Sequence, residues 1–503
     1  MTPQEAYEQL LKSLRQIAVV DSTVAVLAWD ERVNLRPKGT EARAEQLSTL
    51  SRMQHEMFTS PRIGELLSTL EQSELVKQRY SDVEVNVRET RRAYDRATKL
   101  PGSLVEEMAR TSSLGEAAWA EARKKSDFAM FQPWLTKQID LKRQQAKCYG
   151  YTSHIYDALL EDYEPHARTE DVKQIFAAFR PKLVALIQKV INSPKKAPTE
   201  ILRRHYPKPQ QEQFGLEAAR AIGFDFDAGR LDVSVHPFCS GNTPGDTRMT
   251  TRYDERDLGN SLFSVMHESG HGLYEQGLDP KHWGTPRGKS VSLGIHESQS
   301  RMWENLVGRS KSFWKFMMPK ARAVFGDALK DVKEDDFVFA VNSIQSSLIR
   351  TEADEATYNL HIMLRFEFEQ AMLTGDLKPA DVPTAWNERM MKDLNIKVPS
   401  DAQGCLQDTH WAAGLMGYFP TYSLGNMYAA QFFEKARQDL GDLDAMFAKG
   451  EFKPLLDWLR KNIHIRGMTY PARELVKQVT GSDLSFEPLL KHLSRKASEL
   501  YGV

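Results

Sequence analysis

Met266-His267-Glu268-Ser269-Gly270-His271-Gly272 places two histidines at positions i and i+4, with a glutamate directly after the first. On a helix of 3.6 residues per turn those positions lie about 40° apart and roughly 6 Å along the axis, so both imidazoles can reach one metal ion. Glu268 then sits on the flank of the same face, within reach of a water activated by the metal without being a ligand itself. The stretch therefore predicts a helix that carries half of a zinc-hydrolase site, and the remainder has to come from neighbouring segments.

Downstream, Gly277, Pro280, Gly284, Pro286 and Gly288 mark a loop, and helical character resumes near Ser290 or Ser292. A catalytic zinc takes three protein ligands and keeps one position open. Glu297, in Ile295-His296-Glu297-Ser298-Gln299, is the best third ligand, because a helix end, a loop and a first helical turn separate it from His271. A solvated helix glutamate is the alternative reading of Glu297, and His296 is read as positional, holding a neighbour by hydrogen bond. Two histidines and a carboxylate suit zinc, and cobalt fits the same donors.

Upstream, Leu231 to His236 alternates with period two, and Thr247 to Tyr253 is rich in β-branched and aromatic residues. These predict two strands of a small sheet joined through the turn-forming Gly241-Asn242-Thr243-Pro244-Gly245. An exposed edge of such a sheet can pair with an extended peptide and lay it across the metal. Helical patterns dominate elsewhere. They begin with Tyr7, Leu10, Leu11, Leu14 and Ile17, break at Pro37-Lys38-Gly39, and resume from Thr40. Thr169 is expected to cap a helix whose apolar face runs from Val172 to Val190, with a kink at Pro181. Proline-rich breaks follow at Asn192 to Pro198 and Pro207 to Pro209, and later ones near Pro379 to Pro383, Val398 to Gly404 and Gly467 to Pro471. No repeat of fixed period is present, so a solenoid is not expected.

The chain of 503 residues is 41% apolar, 27% charged and 10% aromatic, enough for a large core. Sixty-seven Lys and Arg against 68 Asp and Glu leave no basic footprint for nucleic acid and no polybasic membrane anchor. The three cysteines, Cys148, Cys239 and Cys405, are scattered and odd in number, which argues against a disulfide framework or a cysteine zinc site. Without an apolar leader after Met1, a cytoplasmic protein is expected. Thr409 to Phe433 lacks Asp, Glu, Lys and Arg but is interrupted by His410, Pro420 and Asn426, so it reads as the buried wall of a cleft, not a membrane span.

Several further segments resemble those of one family. They are Trp29-Asp30 with Pro37 to Arg43, His236-Pro237-Phe238, and Asp246-Thr247-Arg248-Met249-Thr250. The His267 to His271 motif, His296 to Gln299, Ile349-Arg350-Thr351-Glu352-Ala353-Asp354, and Gly404 to Trp411 complete the set. Together they make the chain similar to the M32 metallocarboxypeptidases, the thermostable-carboxypeptidase family, along most of its length. The resemblance implies a mainly α gluzincin fold related to neurolysin and angiotensin-converting enzyme, with a small β-sheet beside a deep central groove. One peptidase unit would span 1–503: a helical part (1–200), a β insertion (201–260), and a part holding the metal site and C-terminal helices (261–503). It also implies a homodimer, His267, His271 and Glu297 as metal ligands, and Glu268 as general base.

A carboxypeptidase must recognise a terminal carboxylate, and an arginine fork matches one bidentately. Arg350 is the first candidate, with Asp354 at i+4 expected to hold it on a helix face; an intrahelical Arg350–Asp354 pair with no ligand role is the alternative. Arg248 is second, and nearby Asp246 suggests that it instead fixes the start of its strand. For the oxyanion, related gluzincins use a tyrosine and a histidine, which points to Tyr422 with His410 second, while Tyr418 is equally suited to core packing. His236 either faces substrate or packs at a strand end. The leading expectation is release of single amino acids from peptide C-termini. A metallo-endo-oligopeptidase or dipeptidase is the alternative enzyme, and a helical scaffold with a structural metal is the reading from another class, against which Glu268 speaks.

Overall fold

A computed structural model describes residues 1–503. The chain opens on a 31-residue helix, Pro3–Val33, started by a reciprocal cap: Thr2 Oγ1 accepts from the Glu5 amide and the Glu5 carboxylate accepts from the Thr2 amide. Its apolar stripe, Ala6, Tyr7, Leu10 and Leu14, packs on Ile63, Leu66, Leu67 and Leu70 in a nine-residue cluster separate from the main core. Pro37–Gly39 forms the expected break, as a 3-10 turn, and the Thr40–Phe58 helix returns along the first. Arg43 ties the two together, donating to Leu27 O at 2.7 Å and to Asp30 at 2.8 Å.

A second core of 93 buried residues extends from Ala122 to Tyr501 and joins nearly all the other helices. The helix Thr169–Ile191 runs through Pro181, but Thr169 is its first helical residue and not its cap. The Asp157 carboxylate accepts from both the Thr169 amide and its hydroxyl, so a side chain from an earlier helix serves the orphan amide that sequence-local capping was expected to serve. Thr409 to Phe433 is largely buried, and most of it belongs to the helix Pro420–Leu440, which lies against the helices Leu293–Arg301 and Tyr358–Thr374. No helix is long and apolar enough to cross a membrane.

The sheet has three strands, not two: β1 (Gly229–Val233), β2 (Cys239–Thr243) and β3 (Asp246–Thr251), in the order β1-β3-β2. The two expected strands do pair, but in parallel, which requires a crossover. β2 makes that crossover. It returns antiparallel on β3, and the turn shrinks to Pro244-Gly245, with Gly245 at φ +85°. Cys239-Ser240-Gly241-Asn242-Thr243 lacks the β-branched and aromatic residues that mark a strand, and only its pairing with β3 makes it one. Trp29 joins the sheet to the first helix, its ring covered by Arg248 at 4.3 Å and Arg230 at 4.9 Å.

Candidate metal centre and active site

Helix Leu258–Glu275 begins at Asp257, whose carboxylate accepts from the Asn260 amide, and carries His267, Glu268 and His271. The loop after it contains two 3-10 turns, Pro280–His282 and Pro286–Gly288, and leads to Ser292, which caps helix Leu293–Arg301 by accepting from Ile295 N. Two glycines decide how closely these elements approach. A Cβ on Gly270 would stand 2.5 Å from Gln299 O, and one on Gly425, in the Pro420–Leu440 helix, 2.6 Å from Glu297 Cγ. Neither separation tolerates a side chain, so the Glu297 helix is clasped between two glycine surfaces and Glu297 is turned toward the histidines.

His267 Nε2 and His271 Nε2 lie 3.6 and 3.5 Å from Glu297 Oε2, a triad of donor atoms within 4.8 Å of one another. The other nitrogen of each imidazole is occupied. His267 Nδ1 is 2.9 Å from Glu304 Oε2, and His271 Nδ1 is 2.5 Å from His296 Nδ1. Both Nε2 atoms are thereby left free and aimed at a common point, so the donor set fits a divalent cation with an open position. Glu304 belongs to a π-helical segment, Met302–Val307, that continues the Glu297 helix. Arg301 links the two carboxylates, donating to Glu297 at 2.7 Å and Glu304 at 3.2 Å, and Arg309 also donates to Glu304.

The charges follow from this packing. Burial alone would raise the Glu297 carboxyl, but Arg301, then His267 and His271, outweigh it and hold it well below the usual carboxylate range. Burial likewise opposes ionisation of Glu304, and Arg301 leads the interactions that bring it down to about 2. Burial pushes the His271 imidazole down to about 3, keeping it neutral as a ligand must be. Glu268 differs from its neighbours. It has no arginine partner, and burial pushes it up to about 7, with His267 opposing the rise and Glu297 and Glu304 reinforcing it. A carboxylate so placed gives and takes protons near neutral pH.

Arg350 is buried but not helical in the expected sense: Arg350–Glu352 is a short 3-10 turn. Its partner is Asp408, not Asp354. Nε and one terminal nitrogen of Arg350 donate to Asp408 Oδ1 at 3.0 and 2.8 Å, and Arg365 donates to Oδ2. Asp354 instead caps the following helix through Ala356 N and the Thr357 hydroxyl, because the chain turns before i and i+4 can align. Asp408 is thereby held far below the carboxylate range despite its burial. The second terminal nitrogen of Arg350 donates to Tyr358 OH at 2.9 Å, and Arg301 lies over the Tyr358 ring at 4.6 Å. Arg350 also sits 5.2 Å from the Tyr422 ring.

Tyr422 OH stands 3.5 Å from His410 Nε2, and the His410 ring packs on Phe419 at 4.4 Å. Burial, with help from Arg350 and Arg365 against Asp408, brings His410 down to about 4, and burial with Tyr418 keeps the Tyr422 phenol protonated. Arg248 is engaged twice by Asp246, at 2.8 and 3.0 Å, as its sequence neighbourhood suggests. The side chain of His236 is exposed beyond the end of β1.

Glu304, Glu275, Arg301, Arg365 and Tyr358 were not singled out by sequence reasoning. Glu304 had a usable signal: two helical turns after Glu297, it shares that residue's face. The pairing of Asp408 with Arg350 across the chain had none.

Two helices that bring His, His and Glu to one point, with an unpaired glutamate alongside, define the site of a metallopeptidase. The chain belongs to the M32 family: the family model described as "Carboxypeptidase Taq (M32) metallopeptidase" matches residues 9–497. It is 48% identical to "Thermostable carboxypeptidase 1" of Thermus thermophilus, with both chains covered completely. It is 39% identical to "Carboxypeptidase 1" of Bacillus subtilis over 97% of each chain. The crystal structure of an M32 carboxypeptidase from Deinococcus radiodurans superposes with a TM-score of 0.96 at 38% identity, over 99% of this chain and all of that one. The protein is accordingly a metallocarboxypeptidase that acts on peptides and uses a divalent metal, and the endopeptidase and dipeptidase alternatives are not favoured.

Proposed function

We propose that residues 1–503 form one peptidase unit that releases single C-terminal residues by attack of water, with His267, His271 and Glu297 holding zinc. Cobalt suits the same donors. His267, His271 and Glu297 would hold the cation, which would supply Lewis acidity toward a water and the scissile carbonyl. Glu268 removes a proton from that water and delivers it to the leaving amine, which balances the hydrolysis. Tyr422, assisted by His410, donates to the oxyanion. Arg350, and not Arg248, which is committed to Asp246 and Trp29, receives the terminal carboxylate. The expected setting is a cytoplasmic homodimer.

The observation that carries this reading is Tyr358. Arg350 touches its hydroxyl and Arg301, which grips Glu297, covers its ring, so the carboxylate pocket and the metal pocket share one wall. A shared wall supports a reading in which the carboxylate is held near the bond to be cut, as removal of a single residue requires. Glu268→Gln tests the chemistry: zinc content measured on the purified variant stays at one per chain while kcat falls about 10²–10⁴-fold. Near-normal hydrolysis by that variant would remove Glu268 from its role.

A further inference from the structure

The two ligand histidines are backed differently. His267 leans on Glu304, a carboxylate fixed by Arg301 and Arg309. His271 leans on a second imidazole, His296, whose Nε2 is 2.7 Å from Glu275 Oε1. Once His271 ligates through Nε2, its proton is on Nδ1, which donates to His296 Nδ1. The His296 proton then lies on Nε2 and is donated to Glu275, so each bond in the chain has one donor and one acceptor. Glu275 makes no contact with Arg or Lys. It rests instead on β2, where a methyl group added at Gly241 would overlap its carboxylate.

We infer that Glu275 and His296 are positioning residues that secure the metal through His271, and that strand β2 keeps them in place through the bare backbone at Gly241. The inference rests on the ligand assignment made above. It assigns a function to His296, beside Glu297, that is not ligation, and a structural reason for glycine at position 241. It also ties the sheet edge to the metal. Anything that moves β2 moves Glu275, and Glu275 sets how firmly His271 is aimed.

The test is zinc affinity of the full-length protein by chelator competition, with the d–d absorption of the cobalt-loaded form as a second readout. Glu275→Ala is expected to weaken zinc binding about 10–100-fold, and Glu275→Gln, which keeps an acceptor but not the charge, by less. Gly241→Ala, which alters no polar atom, is expected to weaken it about 10-fold and to shift the cobalt spectrum as Glu275→Ala does. His271→Ala is the reference. If it keeps wild-type affinity, the ligand assignment fails and the inference with it. If it loses zinc while Glu275→Ala and Gly241→Ala bind as wild type, the inference alone is overturned. Should Glu275→Ala not fold, Glu275→Gln and Gly241→Ala decide the matter, checked by an unchanged melting transition of the metal-free protein.

Discussion

The metal pocket and the arginine pocket meet at Tyr358 but are built by opposite means. The metal pocket comes from two successive helices, joined by one loop, and its carboxyls Glu268, Glu297 and Glu304 outnumber the cations Arg301 and Arg309. The arginine pocket is assembled from three distant segments, and there Arg350 and Arg365 share one Asp408, leaving a positive charge in excess. Each imbalance suits the role proposed for its pocket, a cation held in one and a carboxylate in the other. Buried charge of one sign is costly unless a partner arrives, so the two pockets are complementary to the two charges the reaction brings together.

Removing Asp408 breaks the comparison most severely. Asp408→Ala leaves two buried guanidinium groups without their shared anion, and a loss of about 3–5 kcal/mol is expected, read as an earlier urea transition. An unchanged transition would mean that the arginines reach water. Tyr422→Phe is milder: metal content stays constant while kcat falls about 10²-fold, the cost of one oxyanion donor. An unaffected rate takes Tyr422 out of the reaction. The smallest effect comes from Glu369, which accepts from Trp411 Nε1 and Tyr156 OH behind the arginine pocket and which burial pushes up to about 7. Its folded value lies above the unfolded one, so stability present below the ordinary glutamate range is lost as pH rises to about 7 and is then level. Glu369→Gln should remove about 2–3 kcal/mol of the stability change between pH 4.5 and 7; an identical slope in both proteins assigns it to other groups.

The same contrast explains what could be read in advance. The His267 helix, the renewed helix near Ser292 and Glu297 obey helical spacing, a loop and a first turn, all short-range features that one sequence exposes. The helical class followed from similar periodicities. Asp408, by contrast, meets Arg350 only through the packing of helix Tyr358–Thr374 against neighbouring segments, and an i, i+4 rule applied to Asp354 presumed a helix where the chain makes a single turn. β2 was missed for a related reason: its residues carry little strand preference, and its identity comes from β3. Thr169 failed as a cap because a remote carboxylate did the capping. Long-range partners of buried polar groups were the part that local pattern could not reveal.

The pairing of metal with arginine is tested most directly by cleavage of one short peptide, as free acid and as C-terminal amide, by wild type and Arg350→Ala at full zinc occupancy. The expected result is a wild-type preference for the free acid, and in the variant a fall of about 10²-fold in kcat/KM on the free acid alone, as for loss of a charge-assisted bidentate contact. An equal loss on both peptides, or no wild-type preference between them, would contradict the assignment of Arg350 to the terminal carboxylate.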